Sequence, residues 1–113
     1  MDIYENFLAI AAHEDGVLVY DISNPSNPQR VGSENGTNNL ILENLDAEGN
    51  LLAVAAHEDG VLLYDISNPN NLNLFSTISA NNAWGVRLHN GYAYIAKNNI
   101  YLKIFLKISL AFF

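Results

Sequence analysis

One 18-residue stretch occurs twice in this sequence, and its repetition, with frequent turn signals and few helix signals, predicts an all-β fold. The specific prediction is a partial β-propeller of about two and a half four-stranded antiparallel blades. The copies span residues 8–25 and 52–69, differ at only two aliphatic positions, and are offset by 44 residues. Repetition at this period is typical of solenoids, propellers and arrays, in which each repeat is one structural unit.

Each copy has the pattern of a β-hairpin. In the first copy, the apolar runs Phe7–Ala12 and Val17–Ile22 flank a short segment that ends in Asp15-Gly16. Neither run alternates apolar with polar residues, so we expect both faces of these strands to be covered. The Asp-Ile-Ser-Asn-Pro that ends each copy then stops the strand, because its polar side chains can bond nearby backbone amides and proline restricts the residue before it.

Short apolar runs separated by turn residues continue through the chain at the spacing of an all-β meander. We predict further strands at residues 28–33, 40–45, 51–56, 61–66, 72–79, 84–88 and 92–97, with a turn at 46–50 and a hairpin turn at Asn90-Gly91. They group into blade 1 at about residues 7–34, blade 2 at about 40–79, and blade 3 begun at about 83.

Two motifs carry a family resemblance. Gly-Val-Leu-Val-Tyr-Asp-Ile-Ser-Asn-Pro (16–25) and Asn-Gly-Tyr-Ala-Tyr-Ile-Ala (90–96) resemble the LVIVD-repeat family of bacterial and archaeal β-propeller proteins, in a match over about residues 1–97. The resemblance implies a propeller fold, an exported or cell-surface location, and no assigned enzymatic activity, since family members are mostly of that kind. Residues 1–6 lack the pattern of a signal peptide and no anchor is seen, so location is unknown from the sequence itself.

The repeat pattern breaks after Lys97, where a third Tyr-Asp-Ile-Ser-Asn-Pro is expected. Residues 98–113 are dominated instead by Ile, Leu, Phe and Lys. We interpret this apolar tail as the product of a frameshift or truncation, with a genuine edge strand as the alternative. On the first interpretation the chain is a fragment with uncovered blade faces, through which we expect it to self-associate.

The charge distribution argues against a nucleic-acid partner. All twelve acidic residues precede residue 66 and the net charge is −7, while Arg30 and Arg87 are the strong bases of residues 1–96. A surface for nucleic acid or anionic membrane requires the opposite sign. Residues 104–113 are too few to span a bilayer and contain Lys107, so we expect no membrane insertion. With no cysteine, the chain has no disulfide or thiolate site.

The side chains most suited to binding are predicted on one rim of the propeller, where the hairpin tips meet the loop that enters blade 3. An aromatic ring with amides and acids suits a surface for protein or carbohydrate. The alternatives are that Asp-Gly simply makes a polar turn at each tip, and that the tryptophan packs between blades. The candidate binding residues are His13, Glu14, Asp15, His57, Glu58, Asp59, Asn81, Asn82 and Trp84.

The His-Glu-Asp tips are also candidate metal ligands, but a metal shared between two tips is disfavoured. Packed sheets lie about 10 Å apart, whereas zinc ligands lie about 2 Å from the metal. One tip alone could hold calcium weakly through carboxylates and carbonyls. Otherwise we expect no metal and no cofactor.

No catalytic group is predicted. Asp65 with Ser67, like the same pair in the first copy, lies in a turn before Asn-Pro and suits turn capping better than nucleophilic catalysis. Glu43, Asp46 and Glu48 suit a solvated strand and turn better than the paired acids of glycoside hydrolysis, whose separation a sequence does not give.

The sequence therefore predicts a non-enzymatic β-propeller interaction module, or a fragment of a larger cell-surface or exported repeat protein, that binds protein or glycan through one rim. One alternative is a hydrolase that acts on an extracellular polymer at the same rim. Another is a truncated fragment with no independent function. An enzyme would lose turnover on His57→Ala or Asp59→Ala, whereas a binding module has no turnover to lose.

Overall fold

The computed structural model of the chain describes residues 1–12, 16–34, 42–68, 70–80, 82–98 and 103–109. Within these residues lie eleven strands in three antiparallel sheets. Blade 1 has the strand order β1-β2-β3-β4, blade 2 the order β5-β6-β7-β8, and blade 3 the order β11-β10-β9. The strands are β1 (Asp2–Tyr4), β2 (Phe7–Ala11), β3 (Val17–Asp21), β4 (Gln29–Glu34), β5 (Asn44–Glu48), β6 (Leu51–Ala55), β7 (Val61–Asp65), β8 (Asn73–Ile78), β9 (Ala83–His89), β10 (Tyr92–Asn98) and β11 (Lys103–Ser109).

The repeated stretch forms the same hairpin in blades 1 and 2, as predicted. Ala11 pairs with Val17 at the end of β2, and Ala55 pairs with Val61 at the end of β6. The pairing of the third with the fourth strand shifts in register at the same place in both blades, between Val19 and Tyr20 and between Leu63 and Tyr64. The near-identical sequences thus specify the same hairpin, and each blade has an irregularity of the kind that increases strand twist at its fourth strand.

Blade 1 contains a strand that the sequence analysis missed. Residues 2–4 form β1, which pairs with β2 through Asp2↔Ala9, Ile3↔Leu8 and Tyr4↔Phe7. The sheet therefore begins at residue 2, not at about residue 7, and has four strands. Asp-Ile-Tyr is too short to show a period-2 pattern, so only pairing with β2 identifies it as a strand.

The first strand of blade 2 lies further along the chain than predicted. The structure places β5 at Asn44–Glu48 and a turn at 49–50, whereas the sequence suggested a strand at 40–45 and a turn at 46–50. Residues 40 and 41 lie outside the described residues. The expectation that Asp46 is solvated is wrong, because Asp46 is buried at 8% exposure. Its carboxylate has a structural partner in the next blade.

Blade 2 lies between the other two blades and is covered on both faces, as its unbroken apolar strands predicted. One buried layer joins blades 1 and 2, and a second joins blades 2 and 3. Small side chains such as Ala9, Ala53, Ala55 and Ala93 are fully buried in these layers. Their size suits the close approach of neighbouring sheets.

Side chains of the first strand in one blade accept hydrogen bonds from the backbone of the first strand in the next. We call this contact the latch. Asp2 Oδ2 accepts from the Ala47 amide at 2.9 Å, and Asp46 Oδ2 accepts from the Leu88 amide at 2.6 Å. Asp2 and Asp46 are 44 residues apart and occupy equivalent positions opposite Ala9 and Ala53. The two joints between blades therefore use the same bond.

The latch from blade 2 to blade 3 has further members. Asn44 Oδ1 accepts from the Val86 amide at 3.0 Å. Glu48 accepts from the amides of Asn90 and Gly91, at 3.1 and 3.2 Å. The acceptors thus recur at every second residue of β5, which is the spacing of side chains on one face of a strand. One face of β5 therefore fixes the position of β9.

Burial raises the pKa of Asp46 above its usual value, because desolvation disfavours the charged carboxylate. The neighbouring Asp2 carboxylate raises this pKa further. The hydrogen bond from the Leu88 amide and the charge of Arg87, whose Nε lies 3.4 Å from Asp46 Oδ2, act in the opposite direction. The net direction is upward, so ionising Asp46 in the folded state costs free energy.

We expect this cost to appear as a pH dependence of stability that Asp46→Asn removes. A raised folded-state pKa gives a contribution that is complete below the unfolded value of 3.8 and is lost as pH rises through the folded pKa. The asparagine keeps an acceptor oxygen without the charge. The gain in unfolding free energy on Asp46→Asn should therefore be larger at pH 7 than at pH 4 in urea denaturation. An equal difference at both pH values would contradict the assignment.

Candidate functional site

The second hairpin tip, residues 56–60, is a tight turn fixed by its own backbone. The Ala56 amide donates to the Gly60 carbonyl at 2.8 Å, and the Asp59 amide donates back to the Ala56 carbonyl at 2.9 Å. His57 and Gly60 have positive φ values of 50° and 79°. Glu58 and Asp59 lie between them and are exposed. The prediction that Asp-Gly makes a polar hairpin turn is confirmed for this copy.

Gly60 is required at this tip for two reasons. Its φ lies in the left-handed region, which side chains of L-residues rarely adopt. A Cβ at this position would also lie 2.1 Å from the Ile78 carbonyl oxygen. The glycine therefore allows the tip to lie against the end of β8, with Glu58 and Asp59 exposed to solvent.

The tip pairs directly with blade 3. The His57 amide donates to the Ala83 carbonyl at 2.7 Å, and the Ala83 amide donates to the His57 carbonyl at 2.9 Å. Ala83 is the first residue of β9 and lies between Asn82 and Trp84 in the chain. The structure thus brings the tip and the entry to blade 3 together on one rim, where the sequence placed them.

The other predicted rim residues divide by what the structure describes. His13, Glu14, Asp15 and Asn81 lie outside the described residues. Asn82, at a positive φ of 57°, and Trp84 are both partly buried. Trp84 is therefore neither a fully buried core residue nor a freely projecting one. The binding role of all these side chains stays a prediction.

Glu43 belongs to the same rim, which the sequence analysis missed. Its Oε1 lies 2.9 Å from His57 Nε2, and both side chains are partly exposed. The Glu43 amide also donates to the Ala55 carbonyl at 3.0 Å, next to the tip. Only the register of β5 against β6 places Glu43 beside the hairpin end, and the sequence analysis positioned β5 wrongly.

The Asp-Ser pairs cap turns at the opposite rim, as predicted. Asp21 Oδ1 accepts from the Ser23 amide, and Asp65 Oδ1 accepts from the Ser67 amide, each at 2.9 Å. These bonds lower the pKa of both carboxyl groups, because they favour the charged form. The aspartates therefore cap the turns that end their strands.

An open cleft of about 460 Å³ lies at that opposite end of blade 2. Leu51 and Phe75 form its apolar part, and Asn50, Asp65 and Ser67 contribute polar groups. Its polar members include the turn-capping pair just described. No sequence pattern indicates this cleft, because its lining comes from strand ends that are separated in the chain.

Among the described residues, no three carboxylate or imidazole groups gather in an arrangement that could hold a metal ion. The same residues include no helix of the length and apolarity needed to cross a membrane.

Comparison with protein families decides what kind of repeat these blades are. The profile described as the LVIVD repeat matches residues 1–35, 43–79 and 80–105. The chain belongs to the LVIVD-repeat family. The first two LVIVD repeats coincide with blades 1 and 2, and the third covers β9, β10 and the start of β11. LVIVD repeats are β-propeller repeats, so the predicted partial β-propeller is confirmed.

The third LVIVD repeat extends into the segment that the sequence analysis described as off-pattern. The match reaches residue 105, and β11 at Lys103–Ser109 pairs with β10 from Tyr92↔Ser109 to Asn98↔Lys103. Residues 103–109 therefore form a strand at the sheet edge, which was the stated alternative. The origin of residues 98–113 by frameshift or truncation stays a prediction.

No curated protein and no solved structure matches the chain significantly. The family and the fold are therefore shown by the repeats and the strands.

Proposed function

We propose that this LVIVD-repeat chain is a non-enzymatic interaction module that binds a protein or glycan partner through the rim formed by Glu43, His57, Glu58, Asp59 and Asn82. The observation that carries the proposal is the backbone pair between His57 and Ala83. It supports the proposal because it joins the exposed tip of one blade to the first strand of the next. A binding surface built on paired strands loses little conformational entropy on association.

The chemistry of this rim favours a partner with hydrogen-bond donors or positive charge. Glu43, Glu58 and Asp59 are exposed carboxylates close together in the fold. Carboxylates accept hydrogen bonds from sugar hydroxyl groups as well as from arginine and lysine side chains. The family resemblance adds an exported or cell-surface location to this proposal, where such partners are abundant.

Glu58→Gln tests the proposal by removing one rim charge without changing the side-chain length. We expect binding to glycan arrays or to arrayed extracellular protein domains to weaken about tenfold, as for loss of one charge-assisted contact. Glu5→Gln is the matched control, because Glu5 is exposed in the turn at the opposite rim. Equal binding of a ligand by both variants and the wild type would place its site elsewhere.

The alternative of a hydrolase at the same rim has one supporting observation. The His57 ring lies 2.9 Å from Glu43, and a carboxylate that orients a histidine is a common feature of general-base sites. Turnover of an extracellular polymer that falls on both His57→Ala and Glu43→Gln would favour the enzyme. Wild-type activity in both variants, or none in the wild type, favours the interaction module.

A further inference from the structure

The two outer blades each present a face that the chain's own fold leaves partly exposed. We propose that two copies of this chain join head to tail, with blade 3 of each copy on blade 1 of the other, and close a six-bladed ring. The proposal rests on the repeat equivalence of these faces and on the charges at the latch position. It is independent of the proposed rim function.

The far face of blade 1 is equivalent to a face that is fully covered in blade 2. Leu52, Val54, Leu62 and Tyr64 of blade 2 are 0–4% exposed because blade 1 packs on them. Their counterparts in blade 1, 44 residues earlier, are only partly buried, and this is the set Leu8, Ile10, Leu18 and Tyr20. Ile3 shares that face through its pairing with Leu8 and is 62% exposed.

The far face of blade 3 has the composition of an association surface. Arg87 pairs across strands with Tyr94, and His89 pairs with Tyr92, so the four side chains lie on one face. The Arg87 side chain is 82% exposed, and the tyrosines are 39% and 37% exposed. Tyrosine and arginine are among the residue types that most often supply binding energy at the centre of protein interfaces.

The charges at the latch position indicate which face of a second copy can pack on blade 3. Asp2, Asp46 and Arg87 occupy the same position in successive blades, opposite Ala9, Ala53 and Tyr94. Each interacts with the next one: Asp2 raises the pKa of Asp46, and Asp46 pairs with Arg87. A blade that packs on the far face of blade 3 would place its own latch-position residue beside Arg87.

Blade 1 of a second copy supplies a complementary residue at that place. Its Asp2 would lie next to Arg87 as Asp46 does within the chain. Arg87 lacks the acceptor oxygen of an aspartate, so an ion pair with Asp2 takes the place of the hydrogen bond to the backbone. The six latch positions around the axis of the ring would then repeat the order Asp2, Asp46, Arg87.

The number of blades is also suitable. Closed propellers have about 4–8 blades, and the described residues form three sheets in each copy, so two copies give a ring of six. A head-to-tail contact that closes after two copies is a two-fold symmetric ring with two identical joints. Three copies would exceed the usual range, so we expect a discrete dimer.

Sedimentation and light scattering of the 113-residue chain test the proposal. We expect a species of twice 12.5 kDa. Ile3→Glu on blade 1 and Tyr94→Glu on blade 3 should each raise the dissociation constant at least about 30-fold, as for a central interface residue. Leu74→Lys is the matched control, because Leu74 is 44% exposed on β8, away from both faces, and should leave the dimer intact. Circular dichroism checks that each variant is folded.

Mixing the two disruptive variants distinguishes this joint from a symmetric patch. The Ile3→Glu chain keeps an intact blade 3 face, and the Tyr94→Glu chain keeps an intact blade 1 face. An equimolar mixture should therefore form a heterodimer with a single joint, although each variant alone is monomeric. A monomeric wild type, an open-ended series of oligomers, or a dimer that survives both Ile3→Glu and Tyr94→Glu would overturn the proposal.

Discussion

Gly60→Ala is expected to lower the free energy of unfolding by about 4 kcal/mol, as backbone strain and overpacking add together. The new Cβ would lie 2.1 Å from the Ile78 carbonyl oxygen and 3.1 Å from the Ala80 amide nitrogen, both of which are backbone atoms with little freedom to move. The tip or β8 must shift to accommodate it. Urea denaturation followed by circular dichroism measures the loss.

Gly91→Ala separates the two causes. Gly91 has a positive φ of 81°, close to that of Gly60, but nothing lies within 4 Å of an added Cβ. Only the conformational cost remains, so we expect a loss of about 1–2 kcal/mol. Equal losses at the two glycines would show that the close approach to Ile78 has no effect on stability.

Asp46→Ala is expected to lower the free energy of unfolding by about 2–3 kcal/mol, because it leaves a buried amide without its acceptor. The amide is that of Leu88, which is 7% exposed, and the lost bond measures 2.6 Å. Native domains are stable by only about 5–15 kcal/mol, so this one bond is a large fraction of the total. Urea denaturation at pH 7 gives the value.

Two variants identify the lost bond as the cause. Asp46→Asn keeps an acceptor for the Leu88 amide and should retain at least wild-type stability. Glu48→Ala removes a latch member whose partners, the Asn90 and Gly91 amides, are exposed and can bond to water, so we expect a loss below about 1 kcal/mol. Losses of equal size in Asp46→Ala and Glu48→Ala would argue against burial as the deciding factor.

Local chemistry made much of the fold predictable from the sequence. The Asp-Gly turn, the apolar runs of β6 and β7, and the Asp-Ile-Ser-Asn-Pro terminator act within one hairpin, and the structure shows each as expected. The covered faces of blade 2 followed from strands that are apolar on both sides. The repeat spacing of 44 residues then predicted that the same kind of sheet recurs along the chain.

Features that depend on contacts between blades were harder to predict. The sequence indicated that Asp46 begins a turn, yet it lies in β5, where it pairs with Ala53 and accepts a hydrogen bond from the Leu88 amide of another blade. The contact between Glu43 and His57 depends on strand register, and a strand as short as β1 is defined only by its partner. The sequence around these residues gives no direct indication of the Glu43–His57 contact or of strand β1.

The latch also bears on how such chains grow. Its donor is a main-chain amide, which is Ala47 at one joint and Leu88 at the other, so the receiving blade needs no particular side chain there. A gene segment that encodes a blade with this aspartate therefore also encodes the acceptor of the latch hydrogen bond. Duplication can therefore lengthen the array without a compensating mutation at this amide in the neighbouring blade, and the near-identity of residues 8–25 and 52–69 is the record such an event would leave.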